Sequence, residues 1–462
     1  MNVHDPADAS APTPAADPAA TLRSRGYAVL LVIAAVLGVP LAAGAWGFLQ
    51  AVAQMQKAVY TDLPRGLGFR QVPLWWPLPL LATAGILVAA TIRYLPGSAG
   101  HEPSGGFQAS GPATVRDLPG ILVAALASLG LGAVIGPEAP LIALSGGTAA
   151  YVVRLLKPTA DRRVVSTAAA AGSFAAISTL LGSPLLGAFL LMEASGLGGA
   201  LLGVVLLPGL LASGIGALVF IGLDSWSGLP SSALTIPGLA AAPQPNLAEF
   251  GWALVIGAAA AVAGQLIRRC ALFLQPHVAR HRMLWTPTAG LAVAGLAIAY
   301  AQGTGKPQDD VLFSGQSDLG PLISHSAQYT VGALLLLMVC KGVAYSLSLS
   351  AFRGGPIFPS MFLGAAGGIA MSHLAGMSLV PGIAMGIGAL ADAMLGLPLT
   401  SVLLATLLLG KDGITVMPLV IVAVVVCHVI SAKLAGPASD RTDGTDGAEK
   451  AAGRRDGRTE PH

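Results

Sequence analysis

Long apolar runs that contain glycine and proline dominate this chain and restrict the folds open to it. The runs lie near 27–50, 74–92, 118–135, 164–194, 199–222, 249–268, 286–301, 329–350, 359–410 and 414–435. Only 10% of the residues are charged, against about 25% in a soluble protein of this size. Several runs are longer or shorter than the ~20 residues of one membrane span. Broken helices survive in lipid only where protein or water covers the loose backbone. The pattern therefore predicts an all-α polytopic membrane protein with tilted, re-entrant and half-length helices.

Polar segments bound this membrane domain, which we place at 23–436. Residues 1–22 and 437–462 are rich in small and charged residues, and neither segment can bury enough apolar surface to fold alone. We expect both to be disordered tails. The basic residues between the runs fit loops at the lipid headgroups, as the positive-inside rule predicts.

Composition also excludes several classes of partner. The net charge of +3 is too small to indicate a nucleic-acid partner, so the lipid bilayer is the expected environment. The three cysteines, Cys270, Cys340 and Cys427, are scattered and predict neither a disulfide framework nor a metal site. We expect no metal and no cofactor, and we place the protein in the plasma membrane as a multi-pass protein.

An internal repeat is visible in the glycine- and proline-rich segments. GPEAPLIALSGG at 136–147 resembles GPIFPSMFLGAAGG at 355–368, and LGSPLLGAFLL at 181–191 resembles LGLPLTSVLLA at 395–405. The two pairs occur in the same order at similar offsets. This indicates two repeats, about 27–222 and 249–435, each with a broken helix. Transport sites form where such halves meet.

One carboxylate, Glu138, stands inside the otherwise apolar segment 131–147. An ionisable side chain at membrane depth marks an ion or proton pathway by default. Pro137 and Pro140 beside it favour the first turn of a helix, where free N–H groups form an anion site. The competing interpretation is a helix-capping carboxylate without a transport role.

Three glycine-rich segments are predicted to start helices that face one anion: 96–103, 136–140 and 353–359. Each helix start carries about half a positive charge, so several together hold an anion weakly enough to release it. The expected anion-binding residues are Ser98, Gly136, Ala139, Gly355, Ile357 and Phe358. Ser98 could instead be a plain N-cap, and Ile357 and Phe358 could serve only in core packing.

These motifs resemble the CLC family of chloride channels and proton–chloride antiporters over most of 27–435. The family's GSGIP is similar to Gly97–Gly100, its GREGP to Gly136–Pro140, its GGxFxP to Gly354–Pro359 and its NAPLAG to Gly182–Gly187. The resemblance implies two inverted repeats per subunit and a homodimer with one pore in each copy. It implies that Ser98 and the amides of Ile357 and Phe358 bind the anion. Glu138 would be the gate, competing with anions until it is protonated.

The sequence departs from the family at positions that bear on proton transport. Antiporters of the family carry two glutamates where this chain has Glu193 followed by Ala194, and no tyrosine follows Tyr345 to supply the family's pore hydroxyl. We therefore expect chloride permeation gated by Glu138. Proton–chloride antiport, with Glu193 as a proton relay, is the alternative. An enzyme is not expected, because the apolar runs contain neither HExxH nor GxSxG.

Overall fold

The computed structural model describes residues 23–105, 113–195, 200–229, 242 and 244–435. The two predicted tails, 1–22 and 437–462, lie outside these described residues. Within them the chain is helical and contains no strand. The helices are α1 (Arg25–Lys57), α2 (Pro77–Tyr94), α3 (Leu118–Gly130), α4 (Glu138–Leu156), α5 (Arg162–Leu181), α6 (Pro184–Ser195), α7 (Ala200–Ser227), α8 (Leu247–Arg280), α9 (Arg282–Thr304), α10 (Leu319–Ser324), α11 (Val331–Ala351), α12 (Ile357–Met371), α13 (Leu379–Leu395), α14 (Pro398–Leu408) and α15 (Lys411–Ala435).

Nine helical stretches in the described part of the chain are long and apolar enough to cross a membrane. Five further apolar helices, α3, α6, α12, α13 and α14, are too short for a full span. The expectation of half-length helices is thus confirmed. The run 164–194 divides into α5 and α6, and the run 359–410 divides into α12, α13 and α14. Glycine and proline lie at these divisions, since α6 and α14 both begin with a proline.

Local capping explains where several long helices begin and end. Asn246 accepts a hydrogen bond from the amide of Glu249, whose carboxylate in turn accepts one from the amide of Asn246, so a capping box starts α8. The Thr330 hydroxyl caps α11 by accepting from the Ala333 amide at 3.2 Å. Helix α9 ends at Thr304, and the next residue, Gly305, has a left-handed backbone (φ 68°) that suits glycine.

The segments at the two ends of α9, which packs against α2, differ in charge. The Arg280–Arg282 turn at the start of α9 is basic, whereas the loop after α9 carries Asp309, Asp310 and Asp318. The positive-inside rule places the basic end on the cytoplasmic side. The acidic loop then lies on the opposite side.

The two repeats meet through hydrogen bonds between equivalent residues. Gly136 and Gly355 form an antiparallel bridge, in which each amide donates to the carbonyl of the other, at 2.8 and 2.7 Å. The amide of Val134 donates to the Ser348 hydroxyl at 3.0 Å. The amide of Arg353, equivalent to Val134, donates to the Ser128 hydroxyl at 3.3 Å. Antiparallel pairing of equivalent positions is what two inverted repeats produce.

Helices α12 and α13 approach each other closely at two pairs of glycines. A Cβ built on Gly364 would clash with the carbonyl oxygen of Gly386, and one built on Gly368 with that of Gly382. Close backbone approach at small residues four apart is a common way to pack membrane helices. This pair fixes the direction in which α12 starts, and the start of α12 forms part of the site described next.

Candidate anion-binding site

The Glu138 carboxylate occupies the junction between the two repeats. Glu138 is the first residue of α4 and is 0% exposed. Its Oε1 accepts a hydrogen bond from the amide of Ile357, the first residue of α12. The amide of Phe358 also lies within interaction range of the carboxylate. Oε2 has no hydrogen-bond partner among the described residues. The carboxyl group therefore sits at a helix N-terminus, where amides and helix dipole favour its charged form.

Helices α4 and α12 start at equivalent positions, because Glu138 and Ile357 are separated by the same 219 residues as Gly136 and Gly355. The side chain of one repeat thus binds the helix start of the other. The amide of Glu138, the first residue of α4, bonds to its own carboxylate, whereas Ala139 follows in the first turn, where amides have no carbonyl partner within the helix. Ala139 therefore stays a predicted anion ligand at this junction.

Gly136 and Gly355 have a different function from the expected one. Their amides donate to each other's carbonyls and are not available to an anion. A Cβ on either glycine would overlap the Glu138 carboxylate group. These two glycines therefore fasten the repeats together and leave room for the carboxylate. The sequence-based expectation that their amides bind the anion is corrected on this point.

Tyr345, on α11, supports the start of α12. Its hydroxyl donates to the carbonyl of Pro356, the N-cap residue of α12, at 2.8 Å, and the side chain is fully buried. Since the hydroxyl hydrogen is used in this bond, Tyr345 does not replace the pore tyrosine of the family as a donor to an anion. Sequence reasoning missed this positioning role. The signal available was a lone tyrosine eleven residues before Pro356 in an apolar helix.

Ser98 lies in a turn before the segment Pro103–Gly105, and its expected role as an anion ligand stays a prediction. Residues 97–100 form a tight turn in which all four residues have positive φ. A short 3-10 helix, Pro103–Gly105, follows this turn, and α3 begins at Leu118. Ser98 is exposed in this turn. Its carbonyl accepts a hydrogen bond from Nε of Arg353 at 3.3 Å, and Arg353 precedes α12 by four residues. The turn is therefore linked to the site through one guanidinium.

Arg353 belongs to a charged network that reaches the basic end of the molecule. Its side chain is only 4% exposed, and its Nη2 lies 3.3 Å from Oε1 of Glu102. The same oxygen accepts from Nη2 of Arg282 at 2.7 Å. Gln275, on α8, donates to the other oxygen of Glu102. Sequence reasoning missed Glu102, whose partners come from distant parts of the chain.

Lys341, on α11, has a structural function. Its Nζ is buried and donates to the carbonyls of Asp310, Val311, Leu312 and Phe313 at 2.9 to 3.4 Å. It also lies 4.3 Å from the ring centre of Phe362. The ammonium thereby holds the acidic loop against α11. It does not face the Glu138 site.

Glu193, the predicted proton relay, caps α14. Its carboxylate accepts hydrogen bonds from the amides of Leu399 and Thr400, at 2.9 and 2.7 Å, and from the Thr400 hydroxyl at 2.6 Å. Three donors hold this carboxylate at a helix N-terminus. Nearby, Asp392 on α13 is buried and pairs with His428 on α15 at 3.1 Å.

Fold and site together define a multi-pass membrane protein in which helix starts from two repeats meet at one buried carboxyl group. The sequence model of the voltage gated chloride channel family matches residues 83–432. The chain therefore belongs to this family, whose members transport anions across membranes. A curated relative, "Putative ion-transport protein YfeO" of Escherichia coli, is 28% identical over 319 residues, which cover 68% of this chain and 72% of the relative.

Two solved structures share this fold. A slow cyanobacterial Cl−/H+ antiporter matches with a TM-score of 0.71 at 19% identity, over 92% of this chain and 99% of that one. A CLC-type fluoride/proton antiporter matches with a TM-score of 0.64 at 16% identity, over 88% and 96%. At these identities the likeness establishes the fold alone.

Proposed function

We propose that this protein is a chloride-permeable channel in which the Glu138 carboxylate closes the pore. The observation that carries the proposal is the position of that carboxylate, buried and bound to the first amide of α12. The amides of Ile357 and Phe358 would bind an anion in the same place when the carboxylate leaves. Few positive side chains surround this position, so a bound anion would be released readily.

In this proposal, protonation of Glu138 opens the pore. The charged carboxylate is attracted by the α12 amides and by the dipole of that helix. A proton on Glu138 removes the charge and most of this attraction, so the neutral side chain can rotate away. Oε2, which has no partner among the described residues, is a position for that proton. Anion flux should therefore rise as the pH falls.

Replacing Glu138 tests this gate. In proteoliposomes, E138Q should carry chloride at a rate that is high and independent of pH, whereas wild-type flux should increase on acidification. Glu249→Gln is the matched control, because Glu249 is also fully buried and glutamine preserves a capping box. The control should keep the wild-type pH dependence. An E138Q protein that stays as pH-dependent as wild type contradicts the proposal.

Proton–chloride antiport is the second candidate function. It is favoured by the two solved structures with the same fold, which are a Cl−/H+ antiporter and a fluoride/proton antiporter. The contacts of Glu193 favour the channel, because its carboxylate already accepts three hydrogen bonds at the start of α14. The neighbouring Ala194 cannot carry a proton.

We further propose a homodimer with one pore in each copy, situated in the plasma membrane. The support is the family to which the chain belongs. Light scattering of the detergent-solubilised protein should give the mass of two chains, and the mass of one chain contradicts the dimer.

A further inference from the structure

Glu102 is held between two arginines on the basic side of the Glu138 site. Its Oε1 accepts from Arg282 at 2.7 Å and from Arg353 at 3.3 Å. The side chain of Arg353 is 4% exposed, that of Arg282 is 26% exposed and that of Glu102 is 34% exposed. The group therefore extends from a buried guanidinium outward to solvent.

The buried guanidinium connects this group to the anion pathway. Arg353 lies in the four-residue segment between Phe352 and Ile357 that leads into α12. Its Nε donates to the Ser98 carbonyl, and its Nη2 lies beside Glu102. The Arg353 side chain thus connects Glu102 to the Ser98 turn, and its backbone leads into the start of α12.

The group of Arg282, Arg353 and Glu102 carries one more positive than negative charge, which favours the binding of an anion. Two guanidiniums face one carboxylate, and burying an arginine requires a partner that offsets its desolvation. Burial alone would raise the pKa of Glu102, but Arg353, Arg282 and Gln275 together hold that pKa below its usual value. Glu102 is therefore negative at neutral pH and is itself the anion between the two arginines.

Space around the group is limited. The cleft that Glu102, Arg282 and Arg353 line with Gln275 has no room for a further water-sized molecule. An ion can enter between the guanidiniums only if the carboxylate moves out. Because a third of the Glu102 side chain is already exposed, this movement leads directly into solvent.

We propose that Arg282 and Arg353 form a second anion site, in which the Glu102 carboxylate is the exchangeable occupant. A small monovalent anion such as chloride takes the place of the carboxylate between the guanidiniums and then proceeds past Ser98. Glu102 thus acts as a second competing carboxylate, on the basic side of Glu138. The inference rests on the proposed anion permeation.

The test removes the charge of Glu102 in a variant that already lacks the Glu138 carboxylate. In E138Q proteoliposomes, adding E102Q should lower the chloride concentration that gives half-maximal flux by about ten-fold, since one competing charged ligand is gone. Asp224→Asn is the matched control, because Asp224 is a membrane-helix carboxylate that instead binds the Trp46 indole. Adding the control to E138Q should leave the half-maximal concentration unchanged.

A second variant separates competition from a purely structural ion pair. R282Q should raise the half-maximal chloride concentration, and E102Q added to R282Q should then change it less than two-fold. A structural pair would instead give no change with E102Q, or the same change with and without Arg282; either result overturns the inference. If E138Q loses its pH dependence while E102Q is inert, only this inference fails. If no variant carries chloride, the proposed function itself fails.

Discussion

Gly136 and Gly355 act through the volume that they leave empty. Their backbones pair the two repeats, and their missing side chains make room for the Glu138 carboxylate. Neither glycine has a positive φ, so alanine fits the backbone at both positions. The contact that alanine would make is with a flexible side chain at position 138, whereas a Cβ on the neighbouring Gly354 would meet the backbone of Gly136.

G136A should therefore displace the carboxylate without breaking the fold. We expect chloride flux that loses most of its pH dependence, as in E138Q, because the charged group can no longer reach the Ile357 amide. The measurement is flux in proteoliposomes over a pH series. In an E138A background, G136A should leave the pH profile unchanged. If G136A has the same effect there, the glycine acts independently of Glu138.

At this scale the sequence identified several residues of the junction but not their contacts with distant parts of the chain. Glu138, Ile357 and Phe358 could be identified because a lone carboxylate and a repeated glycine–proline motif are local signals. The function of Gly136 and Gly355 could not be, since it depends on a contact across 219 residues. Glu102 was missed for the same reason, because its partners are Arg282 and Arg353.

Among the elements, the start of α12 is the one whose position matters most for the site. It is set from three sides: Tyr345 binds the Pro356 carbonyl, the Gly136–Gly355 bridge holds the preceding turn, and α13 packs closely along the helix. Proline and glycine signals predicted the start of this helix correctly. At 96–103 they did not predict the turn of four residues with positive φ, Gly97–Gly100, which precedes the short 3-10 helix at Pro103.

Adjacent glycines on α12 give a direct test of this packing. A Cβ on Gly368 would overlap the backbone of Gly382, whereas one on Gly367 would meet only the flexible end of Met338, at 3.3 Å. Overpacking of this kind costs about 1–3 kcal/mol. G368A should thus lower the thermal unfolding midpoint in detergent and reduce anion flux, while G367A should change neither. Equal midpoints for the two variants contradict the packing role.

For the whole molecule, the two inverted repeats explain why one carboxylate meets the helix start of the other half. Equivalent positions face each other at the junction: Gly136 with Gly355, and Glu138 with Ile357. The repeat pattern in the sequence predicted that a site forms where the two halves meet, but not which residues face each other there. Symmetry is broken at the decisive position, because one repeat supplies a carboxylate and the other an isoleucine. In the proposed channel, a single titratable side chain therefore controls a site that both halves build.

Whether protons cross with the anions is a property of the whole molecule, and Glu193 decides between the two proposed functions. If its carboxylate only caps α14, the protein conducts chloride alone. The reversal potential under opposed chloride and pH gradients should then equal the chloride equilibrium potential.

E193Q should leave that potential unchanged but lower the thermal unfolding midpoint, because a neutral amide accepts less strongly from the Leu399 and Thr400 amides. Thr400→Val, which removes only the hydroxyl donor, should lower the midpoint less. A reversal potential that moves with the pH gradient contradicts the channel. If E193Q then abolishes that movement while chloride still flows, Glu193 lies on a proton path and the protein is an antiporter.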